Sequence, residues 1–365
     1  MRIAEARAYR QWQPFRDGTY SCSGGVADGF DSTIVALVAD DGTIGWGEAA
    51  PLGAFYAPAF PAGVRAGVSE LLPLVLGRDA TAPRALLRRL DAAMMGQPAA
   101  KSAIDMAACD LAARLAGVPL AEALGGRDGE TVELYRSVVS EPATAMAERA
   151  RGYARDGYRR IQVKVGADPL EDAERLRAVR DAVGDAIALV CDANGGWGSA
   201  EALRFLQATR ELDYVLEQPC ATLAECALVR ARCERPLALD ESVEDLDTLL
   251  AARQVAGCDA VTIKLARVGG LTRGALLRDV ACELGLLVTM EDTGGSDIVT
   301  AAMAHASLST PARRRLHTVD FNAWVTVSNG SGLPAPSGGS LGVPAAPGLG
   351  VTVSELALGE PFSLV

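Results

Sequence analysis

The sequence predicts an α/β fold in which a barrel of parallel strands follows a smaller domain of strands and helices. The first observation is a rhythm in residues 160–293, where short apolar runs recur and each ends on a charged residue. These charged residues are 28, 25, 23, 24 and 27 positions apart, which each time leaves room for one strand, one helix and two short loops. They are Lys164, Asp192, Glu217, Asp240, Lys264 and Glu291. The second observation is the length of 365 residues, which suits a barrel of roughly 200–250 residues and a further domain.

The N-terminal region has the pattern of an antiparallel sheet. Residues 32–39 and 43–48 are rich in β-branched and apolar residues, and Asp41-Gly42 between them predicts a hairpin turn. Two irregular stretches, residues 19–28 and 51–58, are interpreted either as ordinary surface loops or as flexible lids over a site.

Helical patterns follow these strands. Residues 61–125 are mostly helical, with a long alanine-rich helix predicted at 99–115. Strands followed by helices are typical of an α+β domain, so the first third of the chain is predicted to be one.

The barrel itself is predicted to begin with a strand at 132–138. A capping box at Asp168-Pro169 predicts a helix soon after the strand that ends at Lys164. The last helix is predicted at 297–308 and the final strand at 317–320. Residues 350–365 have the pattern of a strand and tail that returns to the first domain.

Composition excludes several classes of function. The net charge of −11 argues against nucleic acid and anionic membranes as partners. No run of 18 apolar residues predicts a transmembrane helix, and no glycine-rich phosphate-binding motif follows a strand. The eight cysteines form no CxxC pair, so we expect a reducing, cytoplasmic location.

Three carboxylates, those of Asp192, Glu217 and Asp240, end three consecutive strands. Neighbouring strands lie about 4.8 Å apart, so these charges repel unless a cation lies between them. Oxygen-only ligation suits Mg²⁺, with Mn²⁺ as the alternative. The chain has only two histidines, so a metal site built from three histidines is excluded. The competing interpretation is three solvated rim acids that cap helices.

Two lysines flank this triad in strand order, so Lys164 and Lys264 are predicted to face each other across the barrel. A lysine near a divalent ion and a second cation has a lowered pKa and can act as a base. Two lysines on opposite sides of a substrate can remove one proton and deliver another. Gln162 lies on the same face of its strand as Lys164 and could modulate it. The alternative is simple ion pairing with the rim acids.

These residues lie in motifs that identify a family. The carrying motifs are Trp46-Gly-Glu48, Cys191-Asp-Ala-Asn194, Leu216-Glu-Gln-Pro219, Leu239-Asp-Glu-Ser242 and Ile263-Lys264. With them, nearly the whole chain resembles the muconate-lactonizing/mandelate-racemase-like branch of the enolase superfamily. The resemblance implies an N-terminal α+β capping domain over a modified (β/α)₇β TIM-like barrel. It also implies Mg²⁺ on Asp192, Glu217 and Asp240, and acid/base roles for Lys164 and Lys264.

The implied domain limits are 1–127 for the capping domain with its substrate-covering loops, 128–330 for the barrel, and 331–365 for a returning C-terminal segment. One departure from the family pattern is Gln162, which replaces the outer lysine of a Lys-x-Lys motif. A second departure is the lack of a histidine after the seventh strand, which argues against a His/Asp dyad.

Shorter motifs indicate the substrate class. Glu217-Gln-Pro-Cys220, Glu291-Asp-Thr293 and Ser23-Gly-Gly25 resemble members that act on proline derivatives. Asp292 and Asp320 are expected to pair with a ring ammonium.

Aromatic residues are expected to complete that substrate site. Tyr56 or Trp324 is expected to cover the ring, as aromatic faces do for cations. Thr293 and Gln162 complete the predicted substrate contacts.

The expected reaction is dehydration of cis-3-hydroxy-L-proline, which would make the protein a carbon–oxygen lyase. The alternative is a racemase or 2-epimerase of proline betaine or another amino acid derivative. An Asp-x-Asp motif is missing at 320–322, which disfavours a dipeptide epimerase. A hypothesis of another class is a catalytically silent binding protein on the same fold. The resemblance further implies a homo-oligomer.

Overall fold

β-Branched and apolar residues near the N-terminus build an antiparallel sheet in the computed structural model, which describes residues 1–22 and 24–365. The strands of this region are β1 (Ile3–Pro14), β2 (Tyr20–Cys22), β3 (Gly25–Ala27), β4 (Gly29–Ala39) and β5 (Ile44–Ala49). Strand β4 pairs antiparallel with β1 and β5, whereas β2 and β3 pair with each other. The predicted hairpin at Asp41-Gly42 is confirmed, since it joins β4 to β5. Ser23 of the predicted 23–25 motif lies outside the described residues.

Helices cover this sheet. They are α1 (Pro61–Leu71), α2 (Pro83–Ala93), α3 (Pro98–Leu115) and α4 (Leu120–Ala123), with a 3₁₀ turn at Leu72–Leu74. The predicted helix at 99–115 is confirmed, and it is buried along most of its length. It packs so closely on β5 that a Cβ at Gly47 would lie 2.0 Å from the Ala103 carbonyl oxygen. The glycine of the Trp46-Gly-Glu48 motif is therefore required by close packing.

The barrel alternates strands and helices as the sequence rhythm predicts. Its elements are β6 (Thr131–Glu133), β7 (Tyr135–Val138), α5 (Ala143–Arg155), β8 (Arg160–Lys164), α6 (Pro169–Val183), β9 (Ala188–Asp192), α7 (Ser199–Ala208), β10 (Val215–Glu217), α8 (Leu223–Arg230), β11 (Leu237–Leu239), α9 (Leu246–Gln254), β12 (Ala260–Lys264), α10 (Leu265–Val268), α11 (Leu271–Glu283), β13 (Leu287–Glu291) and α12 (Asp297–Leu308), with a 3₁₀ turn at Phe321–Ala323. Strands β7 to β13 form one parallel sheet in sequence order. The predicted α/β TIM-like barrel is confirmed.

Two predicted strands are wrong in detail. The stretch 132–138 is divided, because β6 leaves the barrel to pair with a C-terminal strand while β7 begins the parallel sheet. The stretch 317–320 is not a strand. The backbone around it bonds to both edge strands of the sheet: the Leu316 N–H donates to the Val288 carbonyl oxygen on β13, whereas the Thr318 carbonyl oxygen accepts from the Tyr135 N–H on β7. This irregular segment joins the two edges of the sheet.

The C-terminal segment crosses back to the first sheet. It contains β14 (Gly330–Ser331), β15 (Ser340–Gly342), β16 (Thr352–Val353), α13 (Glu355–Leu358) and β17 (Ser363–Leu364). Strand β15 pairs with β6, and β17 pairs antiparallel with β1 at the other end of the chain. Among the helices of the described ranges, none combines the length and apolar character needed to cross a membrane.

A buried carboxylate joins the first sheet to the barrel. Glu48, at the end of β5, accepts hydrogen bonds from Gln13 Nε2 at 2.9 Å and Ser32 Oγ at 2.8 Å. It also accepts from the backbone N–H of Ser296 at 3.1 Å, just before α12. The negative charge therefore lies at the N-terminus of that helix, where the helix dipole favours it.

His305 on α12 is held as a neutral ring. Its Nδ1 accepts from the Ala121 N–H at 3.1 Å, so its Nε2 donates to the Leu349 carbonyl at 3.1 Å. Burial lowers the pKa of His305 to about 4. The unfolded chain therefore binds a proton at this residue at a higher pH than the folded protein does.

We expect acidification to destabilise the protein partly through His305. Because the folded-state pKa is depressed, this contribution to stability is lost as pH falls below about 6.5, the pKa of an unfolded histidine. The free energy of unfolding should fall by about 1 kcal/mol from pH 6.5 to 5.5 through this group. Urea titrations at both pH values should show that loss in the wild type and a correspondingly smaller one in His305→Gln. Equal pH dependence in the two proteins would contradict the assignment.

Candidate active site

The charged residues that end the barrel strands lie side by side at one rim. In the sheet register Asp192 is the partner of both Lys164 and Glu217, and Lys264 is the partner of Glu291. Asp240 directly follows β11. The six side chains are all buried. The sheet order places the three predicted metal-ligating carboxylates between the two lysines, which come from β8 and β12.

Each lysine contacts a neighbouring carboxylate. Lys164 Nζ lies 2.5 Å from Asp192 Oδ2, and Lys264 Nζ lies 2.9 Å from Asp240 Oδ2. A second acid, Glu291, is 3.8 Å from Lys264. The hydroxyl of Tyr56 donates to Asp240 Oδ2 at 3.2 Å and also contacts Lys264 Nζ. Tyr56 therefore reaches from the 51–58 loop into the row of charges.

The lysine pKa values differ from the expectation of a lowered pKa. Burial by itself lowers the pKa of Lys164, but the Asp192 carboxylate outweighs it and holds that pKa well above the usual range. Burial likewise lowers the pKa of Lys264, but the charges of Asp240 and Glu291 outweigh this effect and raise it. A lowered pKa requires a divalent cation beside the lysines, whereas the charged side chains that contact them are carboxylates. A cation bound to the same carboxylates would oppose these upward shifts.

Arg267 is a rim residue that sequence reasoning missed. Its Nη1 donates to Asp240 Oδ1 at 2.6 Å and to the Asp240 carbonyl oxygen at 2.8 Å. It lies on α10, the single helical turn that follows Lys264. The i, i+3 spacing of Lys264 and Arg267 was the available signal, but the turn that directs the arginine inward could not be inferred.

Glu217 lies between the other two acids. Gln162 Nε2 donates to its Oε2 at 2.8 Å, and Thr262 Oγ1 donates to its Oε1 at 3.0 Å. Burial, and then the charges of Asp192 and Asp240, raise the pKa of Glu217 well above its usual range. The three carboxylates therefore repel one another, as their positions on neighbouring strands predict. Gln162 contacts this carboxylate, rather than Lys164 as the sequence suggested.

Further oxygen atoms surround Asp192. Asn194 donates its backbone N–H to Asp192 Oδ1 at 2.8 Å and its Nδ2 to Asp192 Oδ2 at 2.9 Å. Its amide also donates to Glu241 Oε1 at 2.9 Å. Burial, and then Asp240 and Asp192, raise the pKa of Glu241 to about 7. Asn194 Oδ1 and Glu241 Oε2 are buried and accept no hydrogen bond from any residue that the structure describes.

This donor set fits a hard divalent cation. It is made of oxygen atoms, it carries an excess of acids, and it includes buried oxygens that lack donors. Nevertheless, within residues 1–22 and 24–365 no three acidic, histidine or cysteine side chains are already gathered around one point. Each carboxylate is instead bound by a lysine, arginine or amide. Metal binding at this rim therefore requires the carboxylates to exchange these donors for the ion.

A small cleft lies above the rim, with about 380 Å³ of space between its lining residues when the part open to solvent is included. Both lysines and Asp192 line it, together with five of the residues predicted to contact substrate. These five are Tyr56, Gln162, Asp292, Thr293 and Trp324. The structure thus brings the predicted acid/base pair and most of the predicted substrate contacts to one small cavity.

Asp292 presents one carboxylate oxygen without a partner. Its Oδ1 accepts from the backbone N–H groups of Thr293 at 2.7 Å and Ala266 at 3.1 Å. No donor within the described ranges reaches its buried Oδ2. Burial raises the pKa of Asp292 to about 7. Thr293 itself is held by its hydroxyl, which donates to the Ala50 carbonyl oxygen at 3.1 Å.

Asp320 differs from the prediction. It does not appear among the described residues that line the cavity; instead Arg136 Nη2 lies 3.4 Å from its Oδ2. Burial raises the pKa of Asp320 to about 6. The irregular segment around residues 317–320 directs this carboxylate toward the arginine, which strand alternation could not reveal.

Aromatic residues that were not predicted complete the cavity. Its lining includes Tyr20 from the β2–β3 hairpin and Tyr135 from β7. The hydroxyl of Tyr135 donates to Glu291 Oε1 at 2.5 Å. Tyr20 packs against Trp324 with ring centroids 5.3 Å apart, and its ring centroid is 5.9 Å from Lys164 Nζ. The first domain thus supplies part of the cavity wall.

Acid/base groups on both sides of a carboxylate cluster, at the carboxyl ends of barrel strands, define an enzyme that exchanges protons on a small substrate. Residues 25–125 match the mandelate racemase/muconate lactonizing enzyme N-terminal domain, and residues 145–357 match the enolase C-terminal domain-like family. The chain belongs to this family of the enolase superfamily.

Comparison with individual proteins shows which members of this family the chain resembles. The chain is 40% identical to a cis-3-hydroxy-L-proline dehydratase of Roseibium aggregatum over 364 residues, which cover 100% of this chain and 99% of that protein. It is 29% identical to an L-Ala-D/L-Glu epimerase of Bacillus subtilis, across 90% of this chain and 91% of the relative. A crystal structure of a mandelate racemase/muconate lactonizing enzyme from Roseovarius nubinhibens, complexed with magnesium, superposes with a TM-score of 0.93 at 33% identity, covering 100% and 99% of the two chains.

We expect Tyr135→Phe to destabilise the protein, because Glu291 would keep its buried charge and lose a short hydrogen bond. The free energy of unfolding should fall by about 1–3 kcal/mol. Urea unfolding of Tyr135→Phe, Glu291→Gln and the double variant measures this coupling as a mutant cycle. Strictly additive effects of the two substitutions would show that the hydroxyl and the carboxylate do not interact.

Proposed function

We propose that this protein is a Mg²⁺-dependent dehydratase that converts cis-3-hydroxy-L-proline to a pyrroline carboxylate. The observation that carries the proposal is the position of Lys164 and Lys264 on opposite sides of three buried carboxylates, with both lysines lining one small cavity. Full-length similarity to a dehydratase of this substrate supports the same reaction. The eight cysteines all carry free thiols, which is consistent with the cytoplasmic location we propose.

Asp192, Glu217 and Asp240 would hold the metal. Bound there, Mg²⁺ would supply positive charge to the substrate carboxylate and to the negative charge that develops on it when the α-proton leaves. Asn194 and Glu241 would support the ligands from behind, because the asparagine amide already joins Asp192 to Glu241.

The stereochemistry of the substrate matches two opposed lysines. In cis-3-hydroxy-L-proline the carboxylate and the hydroxyl share one ring face, so the α-proton lies on the other. One lysine removes the α-proton, and the opposite lysine donates a proton to the departing hydroxyl as water leaves. The resulting enamine tautomerises to the pyrroline.

The cavity also suits a ring that carries an ammonium group. Asp292 Oδ2 is an unpartnered acceptor among the described residues and lines the cavity, so it is the residue we propose for the ring ammonium. The rings of Tyr56 and Trp324 would cover the substrate, with Thr293 and Gln162 beside it. Asp320 is left out of this set because it pairs with Arg136.

A racemase or 2-epimerase is the second candidate. The observation that favours it is the symmetry of the site, since each lysine ends a strand and contacts one metal-ligating acid. The same pair could remove and return a proton at one carbon. In either case we propose that residues 1–127 cap the barrel of residues 128–330, that residues 331–365 return to the cap, and that the protein is a homo-oligomer.

Proton NMR in D₂O with Mg²⁺ separates these candidates. With cis-3-hydroxy-L-proline, a dehydratase consumes the hydroxyproline signals and produces those of a pyrroline. With proline betaine or L-proline, a racemase introduces deuterium at Cα without elimination. Absence of both reactions would refute the proposed function and leave a binding protein as the better description.

Substitution of each lysine by alanine should lower kcat by about 10²- to 10⁴-fold, the usual contribution of a general acid or base. The two variants should differ in D₂O. Loss of the base abolishes both Cα exchange and elimination, whereas loss of the acid leaves exchange and abolishes elimination. Wild-type turnover in either variant would contradict the two-lysine mechanism. Lys164→Arg and Lys264→Arg, which keep the charge but cannot titrate, should be as inactive as the alanine variants.

Removal of a metal-ligating carboxylate should weaken Mg²⁺ binding by about 10-fold or more, because the site loses one of its anionic ligands. Calorimetric Mg²⁺ titration of Glu217→Gln tests this, and chelation of the wild type should abolish turnover. The matched control is Glu234→Gln, an exposed glutamate away from the rim, which should bind Mg²⁺ normally. Equal affinity in the two variants would remove Glu217 from the metal site.

A further inference from the structure

A second cavity adjoins the catalytic one, with about 520 Å³ of space when the part open to solvent is included; we call it the outer chamber. Its walls come from the loop before β2, from β7, from α5 and from Trp324. Tyr20 and Trp324 line both cavities, and no other described residue lines both. Their rings are 5.3 Å apart, so this aromatic pair is the partition between the two spaces.

The polar groups of the outer chamber are rich in hydrogen-bond donors. Arg136 Nε, Ser137 Oγ and Arg149 Nε are buried, and none has a hydrogen-bond partner in the described part of the chain. Ser137 as a whole residue is only 7% exposed. Since arginine nitrogens can only donate, these atoms require an acceptor, and leaving them without one carries a desolvation cost.

Existing ion pairs do not use these atoms. Arg136 is neutralised by Asp320, whose Oδ2 lies 3.4 Å from Nη2. Arg149 uses its Nη2 to contact both oxygens of Glu141, at 3.1 and 3.2 Å. In each case Nε remains available on another edge of the guanidinium.

The rest of the lining is mostly aromatic or small. The rings of Phe15, Tyr20, Tyr153 and Trp324 offer flat apolar surfaces. Asp17 is the single acidic residue among the described residues of the lining, and it lies with Gly18 and Thr19 on an exposed stretch. The chamber therefore combines an interior that donates hydrogen bonds with an acidic group near solvent.

We propose that the outer chamber is a second binding site for a small carboxylate with a flat or ring-shaped body. The carboxylate accepts from Ser137 and Arg149, and from Arg136 behind them, while the body packs on the Tyr20–Trp324 partition. An ammonium group on the same ligand would point toward Asp17. The proposed substrate has this chemistry, so its identity as the natural occupant rests on the proposed function, whereas the site itself does not.

The site has a consequence for catalysis. A substrate held in the outer chamber is one aromatic partition away from Lys164, because the Tyr20 ring contacts both. Capture in the chamber would speed the association of substrate with the catalytic cavity, so its loss should lower kcat/KM while leaving kcat unchanged.

Calorimetric titration of the Mg²⁺-loaded protein with pyrrole-2-carboxylate tests the site directly. This probe has the flat ring and the carboxylate but no α-hydrogen to lose. We expect two binding events per chain in the wild type. Arg149→Met and Ser137→Ala should each weaken one of them by about 10-fold or more and leave the other in place. The matched control is Arg151→Met, an exposed arginine on the same helix and outside the chamber, which should keep both.

Ser137→Ala conserves shape, so it tests the site even if Arg149→Met fails to fold, as thermal unfolding would reveal. A single binding event in the wild type, or two unchanged events in both variants, would overturn the proposal. Two events in a protein that dehydrates nothing would establish the chamber and refute the proposed function. Dehydration of the hydroxyproline together with a single binding event would support the proposed function and refute the second binding site.

Discussion

Mutual repulsion among carboxylates at the barrel rim is the constraint on which the rest of the site depends. Consecutive parallel strands place Asp192, Glu217 and Asp240 at neighbouring positions, where burial makes their charges costly. Lys164 and Lys264 offset the outer two acids from either side. This repulsion makes the cluster of carboxylates unfavourable when no cation is near. For the same reason, the cluster is a favourable place for a cation to bind.

The capping domain completes what the barrel begins. Glu48 ties the end of β5 to the start of α12, and the loops on either side of this sheet supply Tyr20 and Tyr56. The Tyr56 hydroxyl is hydrogen-bonded to the Asp240 carboxylate and the Lys264 amine, so a residue from the first domain contacts the charged rim directly. The charged rim and part of the wall that encloses the cavity above it thus come from two regions that share buried contacts.

The sequence allowed the periodic features to be predicted. A strand that ends in a charge every 23 to 28 residues fixes both the barrel and the row of charges at its rim. Features that depend on irregular backbone could not be predicted from the sequence. Arg267 turns inward on a single helical turn, and Asp320 leaves the rim because residues 314–318 alternate between two edge strands. The outer chamber likewise depends on where a short hairpin rests against the barrel, for which the sequence has no periodic signal.

The burial of the lysines has a practical side. The sequence contains three lysines, and all three are buried: two at the rim and Lys101, which donates to the Met94 carbonyl oxygen at 2.6 Å and lies 3.0 Å from Asp91. The side-chain cations at the surface are therefore arginines, which stay charged. Acylating reagents that label most proteins at many lysines would here meet chiefly the N-terminal amine, because the three lysine amines are buried and the two at the rim are held protonated by carboxylates. Amine chemistry is therefore a means of tagging or immobilising this protein at one defined position.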